Sequence, residues 1–260
     1  MVPAAEKHLR HYAVGQDPEV LLVKPPASWR WLALLGLLGA LPAQASVDAR
    51  DYDAFWLWGG VASQPVLAQA RTLYVLQGQI SQSRRDPQVR FVAQGPSVAR
   101  LPQEQLWVVY RAHTLRWPDS VYRQLFGQVE RWRQAGNRVV GIQIDFDART
   151  RYLDEYVAFL RDLRQRLPTD YRLSITGLMD WSSNADASTI GQLKGVVDEV
   201  VVQTYQGRHS IPDYGAYLPR LSQIGLPFKI GLIQGGQWQA PDYLQDSPGF
   251  EGYVVFLQNR

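Results

Sequence analysis

The amino-acid sequence predicts an α/β protein, a single (β/α)8 TIM-type barrel over residues 46–260 that lacks its final helix. Two observations predict this fold class. Eight apolar runs of strand length recur from residue 54 onward, and amphipathic helical patterns stand between several of them. Alternating strands and helices are typical of a parallel sheet covered by helices, and eight such strands can close into a barrel. An open doubly wound sheet is the alternative.

The predicted strands are rich in Val, Ile and aromatic residues, and several are continuously apolar, as expected for strands covered on both faces. In chain order they are Ala54–Trp58, Thr72–Gln77, Leu106–Arg111, Val139–Asp145, Arg172–Gly177, Glu199–Tyr205, Phe228–Gln234 and Tyr253–Gln258. No helical pattern follows the last run. Residues before Asp51 are therefore expected to cover that side of the barrel, or to leave it open.

The predicted helices carry apolar residues three and four positions apart, which places these residues on one helix face. They are Ser120–Ala135, Arg151–Leu167, Thr189–Val197 and Tyr214–Ile224. The first ends at Gly136 and the second before Pro168, as helix termini commonly do. The stretch Arg84–Pro102 interrupts the alternation after the second strand and predicts an added strand or hairpin.

Composition and missing motifs exclude several classes of function. Cysteine is absent, which excludes disulfides, thiolate nucleophiles and cysteine-bound metals. Only His113 and His209 lie beyond residue 45, and neither belongs to a zinc-binding spacing. A nucleophile elbow, a dinucleotide fingerprint and a P-loop are also missing. We expect no cofactor and no metal. The formal net charge is +3 without a long basic run, so we expect no nucleic-acid partner.

The first 45 residues predict a secretory signal peptide with an extended n-region. Trp31–Leu41 is an uncharged apolar run that is too short to span a bilayer comfortably. Arg30 precedes it, and Ala43-Gln44-Ala45 supplies an A-x-A end. A buried or membrane-anchoring helix is the alternative. Cleavage after Ala45 would leave Ser46 first, so we expect a periplasmic or secreted protein without a stable membrane anchor after cleavage.

The fourth predicted strand continues to Asp147 and reads VVGIQIDFD from Val139. Because side chains alternate along a strand, one face should meet the helices and the other should point into the barrel. The outer face holds Ile142, Ile144 and Phe146, and the inner face holds Gly141, Gln143, Asp145 and Asp147. Polar groups inside a barrel are costly unless they are hydrogen-bonded or wet, and barrel enzymes place their chemistry at the carboxyl ends of strands.

Asp145 and Asp147 should lie about 6.5 Å apart along this strand face. Two carboxylates this close can raise the pKa of one of them, and acid-assisted glycosidic cleavage needs a neutral acid beside an ionised partner. Alternatively, both acids cap the next helix or pair with arginines such as Arg149 and Arg151. A third interpretation is a divalent metal held by the two aspartates and Gln203.

Further polar and aromatic residues end or follow other strands and should reach the same barrel face. Aromatic rings stack on sugar faces, and amides pair with hydroxyl groups. We predict Asp145 and Asp147 as catalytic, and as substrate-binding residues Trp58, Tyr110, Gln143, Asp180, Trp181, Gln203, Tyr205 and Gln234. Asp180 could instead cap a helix, partner the acids or act as the acid. Arg111, Trp238 and Gln258 are expected at the same face.

The inner face of the fourth strand resembles the signature D-G-x-D-x-D-x-E of chitinase-like family 18 glycoside hydrolases. Gly141 corresponds to the glycine and Asp145 to the last aspartate, which in that family orients the substrate acetamido group and supports the acid. Asp147 stands at the position of the catalytic glutamate and is one methylene shorter. Val140 and Gln143 replace the first two aspartates of the signature.

A second patch agrees, because Tyr205 in the stretch QTYQ matches the tyrosine of that family's M-x-Y-D, which contacts the substrate carbonyl or N-acetyl oxygen. The segment from Phe55 to Gln258 resembles more closely the bacterial domain-of-unknown-function family 3142. The stretches that carry this resemblance are DAFWLWGGV, GIQIDFDART, LSITGLMDW, VVQTYQG and PFKIGL. That family is considered related to barrel glycoside hydrolases, so the resemblance implies the fold and names no substrate.

These residues lead to the hypothesis of an exported glycoside hydrolase-like barrel that acts on a poly- or oligosaccharide. Asp147 would be the general acid, with Asp145 holding or charging it. In a variant of this scheme Asp145 is the nucleophile, and Asp147 or Asp180 is the acid. The shortened acid and the lost aspartates motivate the alternative, a catalytically inactive carbohydrate-binding barrel. A metal-dependent barrel enzyme is the third interpretation.

Overall fold

The structure is a computed structural model that describes residues 45–82, 87–148, 150–179, 181 and 187–259. Nearly all of the predicted signal peptide lies outside the described residues, and so does Asp180. Residues 44–260 form one compact unit. Across the described ranges, no helix is long and apolar enough to cross a membrane.

Eight parallel strands close into a barrel, as the sequence predicts. The strands in chain order are β1 (Ala45–Ser46), β2 (Ala54–Leu57), β3 (Thr72–Gln82), β4 (Val89–Ala93), β5 (Gln105–Ala112), β6 (Val139–Asp145), β7 (Arg172–Leu178), β8 (Glu199–Gln203), β9 (Tyr205–Gln206), β10 (His209–Ser210), β11 (Phe228–Ile233), β12 (Gln237–Trp238) and β13 (Phe250–Phe256). Around the barrel the order is β2, β3, β5, β6, β7, β8, β11 and β13. Because β2 pairs in parallel with both β3 and β13, the ring closes and the open sheet is excluded.

Two long helices cover the strands around β6, and both follow the predicted pattern closely. They are α1 (Asp119–Gln134) and α2 (Leu153–Arg166), and a short helix spans Ala187–Gly191. The remaining helical segments are 3-10 turns at Ala49–Asp51, Pro65–Gln69, Thr150–Tyr152, Tyr214–Ala216, Leu218–Ile224 and Asp242–Leu244. The predicted helix Tyr214–Ile224 is therefore wrong in type. Gly215 and Pro219 interrupt it, since neither residue favours a helix interior.

The predicted addition after the second strand is confirmed as β4, which pairs antiparallel with the extended end of β3. In the described residues no helix follows β13, and the described segment before Asp51 packs against this part of the barrel. Val47 exchanges backbone hydrogen bonds with Gly235 and Gly236, and its side chain is buried. Residues before Asp51 therefore cover part of that side, as expected.

The barrel interior is separated from the outer core by the alternation of side chains along each strand. Its apolar residues are Ala54, Trp56, Tyr74, Leu76, Trp107, Val109, Val201 and Val254. The rings of Tyr74 and Trp107 stack with their centroids 5.8 Å apart. The neighbouring residues Val75 and Val108 belong to the outer core, beneath the helices. Aromatic side chains thus fill the barrel below its carboxyl end.

A hydrogen-bonded polar chain occupies the amino half of the interior. The carboxylate of Glu199 is fully buried and accepts hydrogen bonds from Tyr74 (2.8 Å), Ser174 (2.8 Å) and Lys229. Gln143 donates to Ser174 at 2.9 Å and accepts from the indole of Trp56 at 2.6 Å. Each side chain of this hydrogen-bonded network has a partner, which is the condition under which buried polar groups are tolerated.

Candidate functional site

A cavity of about 1070 Å³ opens at the carboxyl ends of the barrel strands. Several lining residues are the last or nearly last residues of parallel strands, which end at the same face of a barrel. The lining consists of Trp58, Arg111, Asp145, Asp147, Thr150, Leu178, Met179, Gln203, Tyr205, Gln206, Gly207, Ile211, Tyr217 and Phe256. Five of the residues predicted for the site line it: Trp58, Asp145, Asp147, Gln203 and Tyr205.

Asp145 lies at the floor of this cavity as the last residue of β6, on the inner face as the alternation predicts. Its Oδ1 accepts a hydrogen bond of 3.0 Å from the hydroxyl of Thr176. Only 7% of its side chain is accessible. Burial raises the pKa of Asp145 to about 6, a rise that the Arg111 charge and the Thr176 hydrogen bond limit and the Asp147 charge increases. Asp145 can therefore hold a proton in mildly acidic solution.

Asp147 lies at the rim, where 65% of its side chain is exposed. It is the central residue of a tight turn in which Ala148 N–H donates to the Phe146 carbonyl at 2.7 Å. The Ala148 carbonyl in turn accepts a hydrogen bond of 2.7 Å from the buried indole of Trp181. Within the described part of the chain, no hydrogen bond reaches the Asp147 carboxylate, so its oxygens are available to a ligand.

Arg111 stands beside both carboxylates. Its Nε lies 3.9 Å from Asp145 Oδ2, and a terminal nitrogen lies 3.7 Å from Asp147 Oδ2. The guanidinium carbon lies 5.0 Å from the centroid of the Trp58 ring, a distance typical of a cation–π contact. Sequence reasoning placed Arg111 at this face without giving it a role. The signal that was missed is register, because Arg111 and Asp145 are direct neighbours on adjacent strands.

Aromatic rings form another part of the lining. Trp58 and Phe256 meet edge to face with centroids 5.4 Å apart, and Phe256 lies 5.8 Å from Tyr205. The Gln203 amide donates to the Tyr205 hydroxyl over a long 3.5 Å. Burial, together with the nearby Asp145 charge, raises the pKa of Tyr205 far above its usual range, so the phenol stays neutral. Such a wall offers flat apolar faces with a hydroxyl and an amide between them.

Four residues predicted for the site do not line the cavity. Tyr110 faces the helices, because the inner positions of β5 are Trp107, Val109 and Arg111, and its hydroxyl donates to the Leu125 carbonyl of α1 at 3.0 Å. Gln143 faces inward as predicted, but it lies one layer below Asp145 and is fully buried in the polar chain. The prediction that these two residues contact a substrate is wrong.

Trp181 and Gln234 also lie away from the cavity lining. The Trp181 ring is buried against Tyr156 of α2, and its indole N–H donates a hydrogen bond to the Ala148 carbonyl. Gln234 donates to the side chain of Gln64 at 2.9 Å and accepts from the Gln258 backbone N–H at 2.9 Å. Trp238, also expected at this face, stacks on Tyr214 instead.

The sequence left two other environments for the acids open: pairing with nearby arginines and binding of a divalent metal. Arg149 and the side chain of Arg151 lie outside the described residues, and Arg111 is the cation that the structure places beside both acids. Over the described ranges, no group of three or more His, Cys, Asp or Glu residues could hold a metal ion.

One family model and several solved structures are similar to this chain. Residues 115–224 match the family described as domain of unknown function DUF3142. The match includes β6, Asp145, Asp147 and Tyr205 but only part of the segment Phe55–Gln258 on which the resemblance was based. No curated protein sequence matches the chain.

Solved structures similar to this chain include chitinase-like barrels of different kinds. The spore cortex-lytic enzyme SleL of Bacillus cereus is 17% identical with a TM-score of 0.43, over 69% of this chain and 49% of SleL. This chain thus spans about half the length of SleL. The chitinase domain of the spore coat protein CotE from Clostridium difficile is 14% identical with a TM-score of 0.44, over 75% and 67% of the two chains. A tamarind chitinase-like lectin is 13% identical with a TM-score of 0.46, over 79% and 94%. These likenesses concern the fold alone.

Proposed function

We propose that this barrel hydrolyses glycosidic bonds of a poly- or oligosaccharide outside the cytoplasm, with Asp145 and Asp147 as the reacting carboxylates. One observation carries the proposal. A buried carboxyl group at the end of β6 and an exposed carboxyl group in the turn that follows it share a large cavity with an aromatic wall. This arrangement places a group that can hold a proton beside a second carboxyl group, and glycosidic cleavage uses such a pair.

The roles of the two acids follow from their surroundings and reverse the expectation from sequence. Asp145 is the proton donor, because burial raises its pKa to about 6. It gives its proton to the oxygen of the leaving sugar as the glycosidic bond breaks, a water molecule adds its oxygen to the anomeric carbon, and the proton that this water loses returns to the Asp145 carboxylate. Asp147, exposed at the rim, stabilises the positive charge that develops on the sugar ring.

The aromatic wall binds the sugar rings. Trp58 and Phe256 offer apolar faces that suit the C–H surface of a pyranose, and burying such a face is favourable. Gln203 and Tyr205 can exchange hydrogen bonds with ring substituents, since their mutual bond of 3.5 Å is weak. The exposed carboxylate of Asp147 provides further acceptors for hydroxyl groups.

A saccharide-binding barrel without turnover is the second candidate. The observation that favours it is the guanidinium of Arg111, which lies within 4 Å of each carboxylate. A cation so placed favours the ionised form of Asp145, and an ionised acid binds hydroxyl groups without donating a proton. The two candidates share the cavity and differ in whether bound sugar is cleaved.

The test compares Asp145→Asn and Asp147→Asn with Asp170→Asn, which changes an exposed aspartate in the turn before β7. A panel of oligosaccharides, including N-acetylglucosamine oligomers, is assayed for new reducing ends and for binding by calorimetry. We expect Asp145→Asn to lower the rate by about 10²–10⁴-fold with the fold intact, and Asp170→Asn to leave the rate unchanged. Full activity in both site variants would contradict the mechanism. Binding without cleavage in the unchanged protein would favour the second candidate.

The proposed location has its own test. Signal-peptide cleavage after Ala45 would make Ser46 the first residue of protein purified from the periplasm or medium. N-terminal sequencing or intact mass measures this directly. An intact Met1 on exported material would contradict processing at this site.

A further inference from the structure

The sequence places Arg111 at the site face without assigning it a role, and the structure places it within 4 Å of both acids. Its side chain lies on the inner face of β5, and its sheet neighbour is Asp145. The two nitrogen–oxygen distances, 3.9 and 3.7 Å, are close enough for strong charge interaction and too long for hydrogen bonds. The guanidinium therefore acts on the two carboxylates through its charge.

The Trp58 ring fixes where this charge stands. The guanidinium carbon lies 5.0 Å from the ring centroid. Stacking of this kind lets a guanidinium stay desolvated on one face while its edge remains open to the cavity. In the described residues, Arg111 makes no hydrogen bond, so the ring contact and the two carboxylates are what hold it.

Besides Arg111, four ionisable side chains lie around the acid pair or its cation. Asp147 follows it on the same strand end, and Tyr205 faces it from β9 as a neutral phenol. Tyr156 of α2, behind the turn, is fully buried and also stays neutral because burial raises its pKa. His113, beyond the end of β5, is near Arg111 and Asp147, and its pKa is lowered by partial burial and then by the Arg111 charge. Among the described residues, Arg111 is thus the cation that lies beside both acids.

We propose that Arg111 is a positioning residue that sets how many protons the Asp145–Asp147 pair holds, through a guanidinium held against Trp58 and between the two carboxylates. With a proton on Asp145, the formal charges of Arg111, Asp145 and Asp147 sum to zero. Once Asp145 ionises, the cluster carries one net negative charge. The inference about hydrolysis rests on the proposed function, whereas the effect on protonation belongs to the unliganded protein.

The test follows the carboxyl carbons of aspartate by ¹³C NMR during a pH titration of the full chain, in the unchanged protein and in Arg111→Met. Arg172→Met is the matched control, because Arg172 also stacks on an indole, that of Trp107 at 5.6 Å, but at the amino end of the barrel. We expect the Asp145 midpoint to move upward by about one pH unit or more in Arg111→Met. In Arg172→Met the Asp145 midpoint should not move. In Arg111→Lys, which keeps the positive charge, the midpoint should stay close to that of the unchanged protein.

A second measurement separates the two proposals. If the protein hydrolyses a glycan, the alkaline limb of kcat against pH should move to higher pH in Arg111→Met, in step with the NMR midpoint. A shifted midpoint without hydrolysis in any variant would support the role of Arg111 and contradict the proposed enzyme. An unmoved midpoint in a folded Arg111→Met protein would overturn the inference, even if hydrolysis is found. If Arg111→Met does not fold, Trp58→Leu tests the same point by releasing the guanidinium, and an unmoved midpoint there would overturn it equally.

Discussion

At the amino end of the barrel, the carboxylate of Glu199 is fully buried and accepts hydrogen bonds from a tyrosine, a serine and Lys229. At the carboxyl end, Asp145 accepts a single side-chain hydrogen bond in the described structure, and Asp147 accepts none there. Both ends place a cation beside the carboxylates. At the amino end the cation makes a direct hydrogen bond, and at the carboxyl end it stays 3.7–3.9 Å away.

This difference in hydrogen bonding separates a carboxylate that stabilises the fold from carboxylates that can bind a ligand. A buried ion pair whose partners are fully hydrogen-bonded has no capacity left for a ligand, and removing one partner leaves an uncompensated charge. Carboxylates with open acceptor positions next to a cavity contribute little to folding and can exchange their interactions for those of a substrate. The number of hydrogen bonds that a carboxylate already accepts therefore distinguishes a structural group from a ligand-binding group better than its burial does.

Breaking the amino-end pair should have the largest effect. Lys229→Met leaves the carboxylate of Glu199 buried without its cation, and we expect a loss of about 3–5 kcal/mol in the free energy of unfolding. Adding Glu199→Gln should recover part of the loss, because the uncompensated charge is removed. Urea denaturation of the single and double variants measures both values. A loss below about 1 kcal/mol in Lys229→Met would contradict a structural role for the pair.

The corresponding change at the carboxyl end should stabilise the protein. The folded-state pKa of Asp145 is raised from 3.8 to about 6. The folded protein therefore binds more protons than the unfolded chain between these pH values, and stability falls as pH rises through this window. Asp145→Asn removes this cost, so we expect a gain of up to about 3 kcal/mol at pH 8 and little change near pH 4. A less stable variant at pH 8 would mean that the carboxylate is structurally required.

An intermediate effect is expected where the acid turn is anchored to the core. Trp181→Phe keeps an aromatic ring against Tyr156 but removes the indole N–H that binds the Ala148 carbonyl. We expect a loss of about 1–2 kcal/mol in stability, with a lower kcat because Asp147 is less well fixed. Denaturation and steady-state kinetics measure the two effects. Unchanged kcat in a destabilised variant would confine Trp181 to packing.

The smallest effect on stability should come from the cavity wall. Tyr205→Phe removes a hydroxyl whose hydrogen bond from Gln203 is long, so the free energy of unfolding should change by less than about 0.5 kcal/mol. Affinity for a bound glycan should fall by roughly tenfold if this hydroxyl contacts the sugar. Calorimetry on both proteins gives the ratio. Equal affinity would remove Tyr205 from the binding surface.

Strand alternation allowed the central part of the site to be predicted and also shows where prediction stopped. In β6 the polar inner positions contrast with apolar outer ones, so the direction of Asp145 could be inferred from sequence. The run around Tyr110 is apolar on both faces, and its inner and outer positions cannot be told apart by composition. Trp181 follows a strand in a loop, where alternation no longer applies.

The contact of Arg111 with the acids was also beyond sequence reasoning, for a different reason. It depends on how β5 and β6 align, and a long helix separates these strands along the chain. Alternation gives the face of each residue but not its height relative to the next strand. Only the register of the assembled sheet shows that the guanidinium and the carboxylates stand at one level.

The shared register of Arg111 and Asp145 has a consequence for how such a site can diversify. Their spacing is fixed by the ladder of backbone hydrogen bonds between two adjacent strands and not by the connecting loops. Segments beyond the strand ends can therefore lengthen, shorten or be exchanged, changing which sugars fit, without moving the charges at the cavity floor. Engineering of specificity in this scaffold should accordingly begin in the loops around Gly207 and Tyr217 and leave the strand termini intact.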